Sequence, residues 1–230
     1  LLDDLTRATV LRAVLSERQL YEVMVQFWTD HFNIDPSKAE AKWLKVADDR
    51  DVIRAHALGN FREMLRASAV SPAMLWYLDG RTNQGGQPGE KPNENYAREL
   101  LELHTVGVRA GYTQTDVREL ARLLTGWTVG NEQRPAPGFV AALHEPGDKQ
   151  VMGRRYREGP QALDEVLTDL ARHPATAEHL AHKLVQHFVA DEPPAALTKA
   201  VARRYQDTDG DLLQVADALF GHEQAWAWHP

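Results

Sequence analysis

The chain contains no cysteine, so disulfides, thiolate metal sites and a cysteine nucleophile are excluded at the outset. It also lacks any excess of positive charge: 26 Lys and Arg stand against 33 Asp and Glu, a net charge of -7. Such a surface does not attract phosphate backbones or anionic lipid, and nucleic acid is not expected as a partner. No window reaches the roughly 18 apolar residues of a membrane helix, so no membrane insertion by this chain is expected. No signal peptide stands at the start, and a start at Leu1 rather than Met is what a domain trimmed of its leader would show. The patterns GxSxG, GxxxxGK and GxGxxG are all missing, which removes the basis for serine-hydrolase, P-loop and dinucleotide-binding readings. Any metal would have to be held by His, Asp or Glu, and 10 histidines are present.

Strand alternation is scarce as well, and helical periodicity dominates what remains. Between 17 and 32 the apolar residues Leu20, Val23, Met24, Phe27 and Trp28 recur at spacings of three and four, with Glu22, Gln26, Thr29 and Asp30 opposite. That is an amphipathic helix. The same pattern predicts helices at 52–68, 72–78, 95–106, 113–124, 161–172, 175–189, 195–205 and 212–220. About nine helices and 230 residues fit a single all-α domain over 1–230 with one large core. Two segments interrupt it. Residues 80–92 are rich in Gly, Pro and polar side chains and read as a mobile loop. Residues 126–159 hold Arg134-Pro135-Ala136-Pro137, the apolar run from Phe139 to Leu143, and a Pro146-Gly147-Asp148 turn. They read as a loop carrying a small β-hairpin near 139–153.

The stretch NENYARELLELHTVG, 93–107, concentrates the polar chemistry. Advancing about 100° per residue puts Asn95, Arg98, Glu99 and Glu102 on one arc and Tyr96, Ala97, Leu100, Leu101 and Leu103 on the rest. His104 falls within the apolar arc, so it cannot join Glu99 and Glu102 around one ion while the helix is regular. The stripe is either a solvated face with an Arg98–Glu102 ion pair or the wall of a cleft, with Glu99 or Glu102 as acid/base or metal ligand. His31 lies on the buried side of its helix, near a C-terminus whose dipole favours a protonated imidazole. It is either a core histidine bonded to a backbone carbonyl, or it meets His104 near a carboxylate as a ligand or proton relay. Asp116 completes a capping box with Thr113. His179, His182 and Gln186 form a row that reads as a solvated face. The run from Asp207 to Asp211 fails as a calcium loop, because the closing Glu is Ala216. It reads instead as a turn in which Asp211 caps a helix and Gln214 completes the box.

Several segments together resemble the bacterial family catalogued as domain of unknown function 1800. They include FWTDHF at 27–32, HALGNF at 56–61, SPAMLWYL at 71–78, the stretch at 93–107, GYTQTDV at 111–117, LTGW at 124–127, HPATA at 173–177 and FVADEPP at 188–194. The resemblance implies a largely helical domain, often in exported proteins, and a genetic association with a companion family related to sulfatases and alkaline phosphatases. It supplies no established reaction. The polar positions it marks are His31, Asn93, Glu94, Asn95, Arg98, Glu99, Glu102, His104, Asp116, Thr125 and Trp127. It further implies that a helical segment usual in the family before the first match is missing here.

Three functions compete at this level. The leading one is a binding or accessory module of an exported system beside a sulfatase-like partner, with Asn93, Glu94, Asn95, Arg98, Thr125 and Trp127 as binding residues. The alternative is a metal-assisted hydrolase drawing on His31, Glu99, Glu102 or His144, which needs at least three such groups around one ion. The third takes His104-Thr105-Val106-Gly107 as similar to a haem peroxidase's proximal histidine motif. No cofactor is firmly implied. If the domain is catalytic, the candidates are His31, Glu99, Glu102, His104 and Asp116.

Overall fold

The computed structural model describes residues 2–38, 41–85, 91–130 and 138–227. Among them eleven α-helices and two small antiparallel strand pairs build a mostly helical protein. Helices α1 (Leu2–Leu15), α2 (Gln19–His31) and α3 (Ala41–Asp48) lead into a π-helical turn, Asp49–Arg54, and then α4 (Phe61–Ala69) and α5 (Pro72–Tyr77). Helix α6 (Asn95–Glu99) runs on into a second π turn, Leu100–His104, before α7 (Gln114–Leu123). The strand pairs β1 (Trp127–Thr128) with β2 (Gly138–Phe139), and β3 (Lys149–Val151) with β4 (Arg154–Tyr156), precede α8 (Gln161–Arg172), α9 (Pro174–Phe188), α10 (Ala195–Asp207) and α11 (Leu212–Phe220).

The core is aromatic and aliphatic. Trp28, Phe32, Phe61, Met64 and Met74 are wholly or almost wholly buried, each contributing roughly 1.5–3 kcal/mol by leaving water. The Trp28 indole N–H donates to Ala57 O at 3.0 Å, so its one polar atom is satisfied inside. Local chemistry sets the helix starts. Asn60 accepts from Arg62 N, Ser71 accepts from Met74 N ahead of Pro72, and Asp211 accepts from Gln214 N. Both halves of the Thr113–Asp116 capping box are present.

Several expectations need correction. The helix expected over 52–68 is two elements, because residues 59–61 pair with 210–212: Phe61 N donates to Gly210 O and Leu212 N to Gly59 O. Periodicity along one segment carries no trace of a partner 150 positions away. Helix α1 was not expected, and it buries no residue completely while leaving Val10, Leu11, Val14 and Leu15 exposed. Helix α3 was missed as well, and only Ala41 and Asp48 on it are buried.

Of the hairpin expected near 139–153, Phe139 instead pairs with Trp127 and Ala141–Leu143 form a 3-10 turn. The hairpin is formed by β3 and β4, turning at Met152-Gly153, both with positive φ of 48° and 81°, rather than at Pro146–Asp148. Two successive positive φ values match the twist of the flanking strands. Of the segment expected as a loop at 80–92, residues 86–90 lie outside the described residues, as does the Arg134–Pro137 run. Gly80–Thr82 form a 3-10 turn, and Asn83 is buried with its amide donating to Ala121 O at 2.8 Å.

Candidate functional site

The polar stripe is a cross-linked surface between α6 and α7. Arg98 donates to Glu94 at 3.1 Å, to Glu102 at 3.4 Å and to Gln114 at 3.1 Å. Gln114 in turn donates to Glu94 at 2.6 Å, and Arg118 approaches the other Glu94 oxygen at 3.7 Å. Burial and a hydrogen bond with Glu102 push the Tyr112 phenol up to about 12. Asn93 accepts from Asn95 N at 3.0 Å, and its own N–H donates to Asn83 Oδ1 at 2.9 Å. Asn95 donates to Leu78 O at 3.1 Å. The expected Arg98–Glu102 ion pair is therefore there, as one strand of a larger mesh. Glu99 stands apart. It is half-buried, and no described residue donates to its carboxylate. Burial first, then the Glu102 carboxylate, raise its pKa, with Arg98 pulling the other way.

The π turn alters the expected geometry after Glu99. The Leu100 amide still donates to Tyr96 O and Ala97 O, but Leu100–His104 then take up the wider π-helical register instead of the regular one assumed. Leu103, expected on the apolar arc, is 49 % exposed, while Thr105 is wholly buried and donates to Leu100 O at 2.6 Å. His104 is inward as expected, packed against Phe32 with ring centroids 5.0 Å apart.

His31 and His104 do meet, with ring centroids 6.1 Å apart. The His31 Nε2–H donates to the His104 backbone carbonyl at 3.2 Å, and Lys183 Nζ on α9 donates to His31 Nδ1 at 2.9 Å. Their neighbour is thus a lysine, not the carboxylate that was expected. Burial, then Lys183 and His104, hold the His31 pKa well below its ordinary value, so the protonated imidazole anticipated from the helix dipole is overturned. Burial and Lys183 push His104 down to about 3. Lys183 itself is lowered by burial, against the pull of Asp30. In the row expected to be solvated, His182 and Gln186 are exposed, but half-buried His179 donates to Leu103 O at 3.3 Å.

His144, Thr125 and Trp127 belong to the strand region. The His144 Nδ1–H is shared between Thr125 O at 2.8 Å and Thr125 Oγ1 at 3.1 Å. Thr125, wholly buried, donates to Arg122 O at 2.6 Å and accepts from Glu145 N at 2.8 Å. Lys149 is 1 % exposed and donates to His144 Nε2 at 3.0 Å and to the Glu145 carbonyl. Burial, then Arg122, lower its pKa. Half-buried Trp127 stacks obliquely on Phe139 at 5.6 Å beneath the Arg66 guanidinium at 5.4 Å. Asp116 caps α7 and also accepts from Met152 N at 2.7 Å, fastening the hairpin turn to the helix.

The candidates thus fall into three places: a stripe on α6 and α7, a buried histidine pair under α9, and a latch beside β3. Among the described residues no group of three or more His, Asp or Glu is placed to hold a metal ion. Sequence reasoning missed Lys149, Lys183 and Asp48. Lys183 could have been found four residues after His179 on one helix face, and Asp48 between Leu44 and Val52 at spacings of four. A buried lysine in a three-residue strand has no comparable signal.

The model of a family described as "Protein of unknown function (DUF1800)" matches residues 1–230. No curated protein and no solved structure matches the chain.

Proposed function

The chain belongs to the family of unknown function that matches it from end to end, and from that premise we propose that it is a binding module whose ligand seats on the α6–α7 stripe. The carrying observation is Glu99: a half-buried carboxylate without a donor from any described residue, in a surface where Arg98, Glu94, Glu102 and Gln114 are already locked to one another. A pre-organised frame around one unspent acceptor supports recognition of a ligand that presents hydroxyl or amino donors. Asn93 and Asn95 brace the start of the frame through backbone contacts. Thr125 and Trp127 shape the neighbouring strand region and contribute indirectly. The same proposal sets the module in an exported system with a sulfatase-like companion, a setting that rests on the family resemblance.

A thermal-shift panel of neutral sugars, amino sugars and polyamines tests the site. One donor-rich class should raise the melting temperature of the wild type and fail to raise that of Glu99→Gln, whose circular dichroism stays unchanged. A stoichiometric metal in elemental analysis, lost in Glu99→Gln, would replace binding of a donor ligand with metal chemistry. Mixing the chain with a sulfatase-like protein encoded beside it should give a joint peak in size-exclusion chromatography. Separate elution at micromolar concentration would remove the accessory role.

A further inference from the structure

Between α3, the π turn that follows it and the start of α5 lies a cleft of about 380 Å³, a size typical of small-molecule sites. Leu44, Val52, Val70 and Pro72 line it with hydrocarbon. Its deep polar group is Asp48, the last residue of α3, only 4 % exposed. Ser71 Oγ donates to Asp48 Oδ1 at 2.5 Å, and Oδ2 accepts no hydrogen bond from any described residue. A buried carboxylate normally has both oxygens satisfied, so one is left for something that enters the cleft.

The surrounding charges narrow what that is. Lys45 is close enough to draw on Asp48 but forms no ion pair with it among the described residues. Asp51 adds a carboxylate to the cleft lining, already held by Arg50 at 2.6 and 2.7 Å, and Asp49, outside the lining, adds negative charge nearby. An anionic ligand would meet the Asp48 and Asp51 carboxylates of the lining. A cationic one would find an open oxygen at the bottom of an apolar wall. The π turn contributes two lining residues, Val52 buried in the wall and Asp51 exposed at the rim.

We propose that this cleft binds a small molecule with an aliphatic body and one protonated amine, the ammonium donating to Asp48 Oδ2 and the hydrocarbon packing on Leu44, Val52 and Val70. The site is separate from the α6–α7 stripe and does not rest on it.

Isothermal titration of the full chain at pH 7.5 with hexylamine, 1-hexanol and hexanoate tests the assignment. Hexylamine should saturate at one molecule per chain, bind at least tenfold more tightly than 1-hexanol, and leave hexanoate without measurable binding. Asp48→Asn, which keeps the acceptor for Ser71, should weaken hexylamine at least tenfold. Ala47→Phe, at an exposed position on the cleft wall, should block binding with an unchanged circular dichroism spectrum. Glu99→Gln should leave hexylamine affinity as it is. Absence of saturable hexylamine binding, equal binding of the three probes, or undiminished affinity in Asp48→Asn would each overturn the proposal. Loss of binding in Glu99→Gln alone would move the amine to the stripe and overturn it too.

Discussion

Replacing Asp48 by asparagine should make this protein more stable at neutral pH, an effect that follows from where the carboxylate sits. Burial pushes its pKa from the ordinary 3.8 to about 6, with the Ser71 hydrogen bond and Lys45 only partly offsetting it. At about 1.4 kcal/mol per pH unit, holding this group ionised in the folded state costs roughly 3 kcal/mol once the pH is above both values. The sign follows from proton counting. Between pH 4 and 6 the folded chain holds a proton that the unfolded chain has released, so this group's contribution to stability is full below about 4 and is lost as pH rises through about 6.

Asparagine removes the ionisation, keeps an oxygen for Ser71 Oγ and turns an amide toward the open cleft, so no polar atom is newly stranded. Asp48→Asn should therefore exceed the wild type by about 3 kcal/mol at pH 7.5, a rise of roughly 1–2 M in urea midpoint at unchanged m. The advantage should fade to nothing near pH 4. Urea titrations of both proteins at pH 4, 5, 6 and 7.5 measure it. A variant no more stable than wild type at pH 7.5, or an advantage that does not vary with pH, would refute the reasoning. If the prediction holds, the carboxylate is a stability cost retained for some other reason, as a binding group would be.

Lys149→Met should cost about 1–3 kcal/mol in urea unfolding, because it strands His144 Nε2 and the Glu145 carbonyl; a neutral result would show the lysine contact to be dispensable. Thr113→Val removes the N-cap acceptor of α7 and should lower stability by about 1 kcal/mol, read from the same titration. Leu103→Gln should change stability by no more than about 0.5 kcal/mol, since the π turn leaves this leucine exposed. A loss of 2 kcal/mol or more would restore the regular helix and the buried arc. Ultraviolet titration of the wild type should show one tyrosine ionising only near pH 12, and Tyr112→Phe should remove that step.

Much of this protein was legible without coordinates, for reasons that are local. The buried face of α2 follows from spacing among Met24, Phe27, Trp28 and His31, since a helix buries its apolar stripe, although Leu20, expected on that face, is 41 % exposed and Glu22, expected opposite it, is buried against Arg54. The Thr113–Asp116 box and the Asp211 cap are contacts between residues three apart, which sequence order alone brings together. The inward turn of His104, away from Glu99 and Glu102, was likewise a consequence of angular position. So was the Arg98–Glu102 ion pair.

What the chain order could not carry are the departures from regular helix and the long-range partners. Neither π turn was foreseen, and the one at Leu100–His104 puts Leu103 outside and Thr105 inside, against the 3.6-residue period. The break before α4 exists because Gly59 and Phe61 find partners at Leu212 and Gly210. His31 was recognisable as an inward histidine, but its proton is settled by Lys183, 152 positions away. Composition and periodicity determined an all-α chain with a polar stripe and inward histidines. Spacing between Leu44 and Val52 marks Asp48 as inward, but tertiary packing alone decided that it would face a cleft and bond Ser71, since α5 folds separately and is then brought against it.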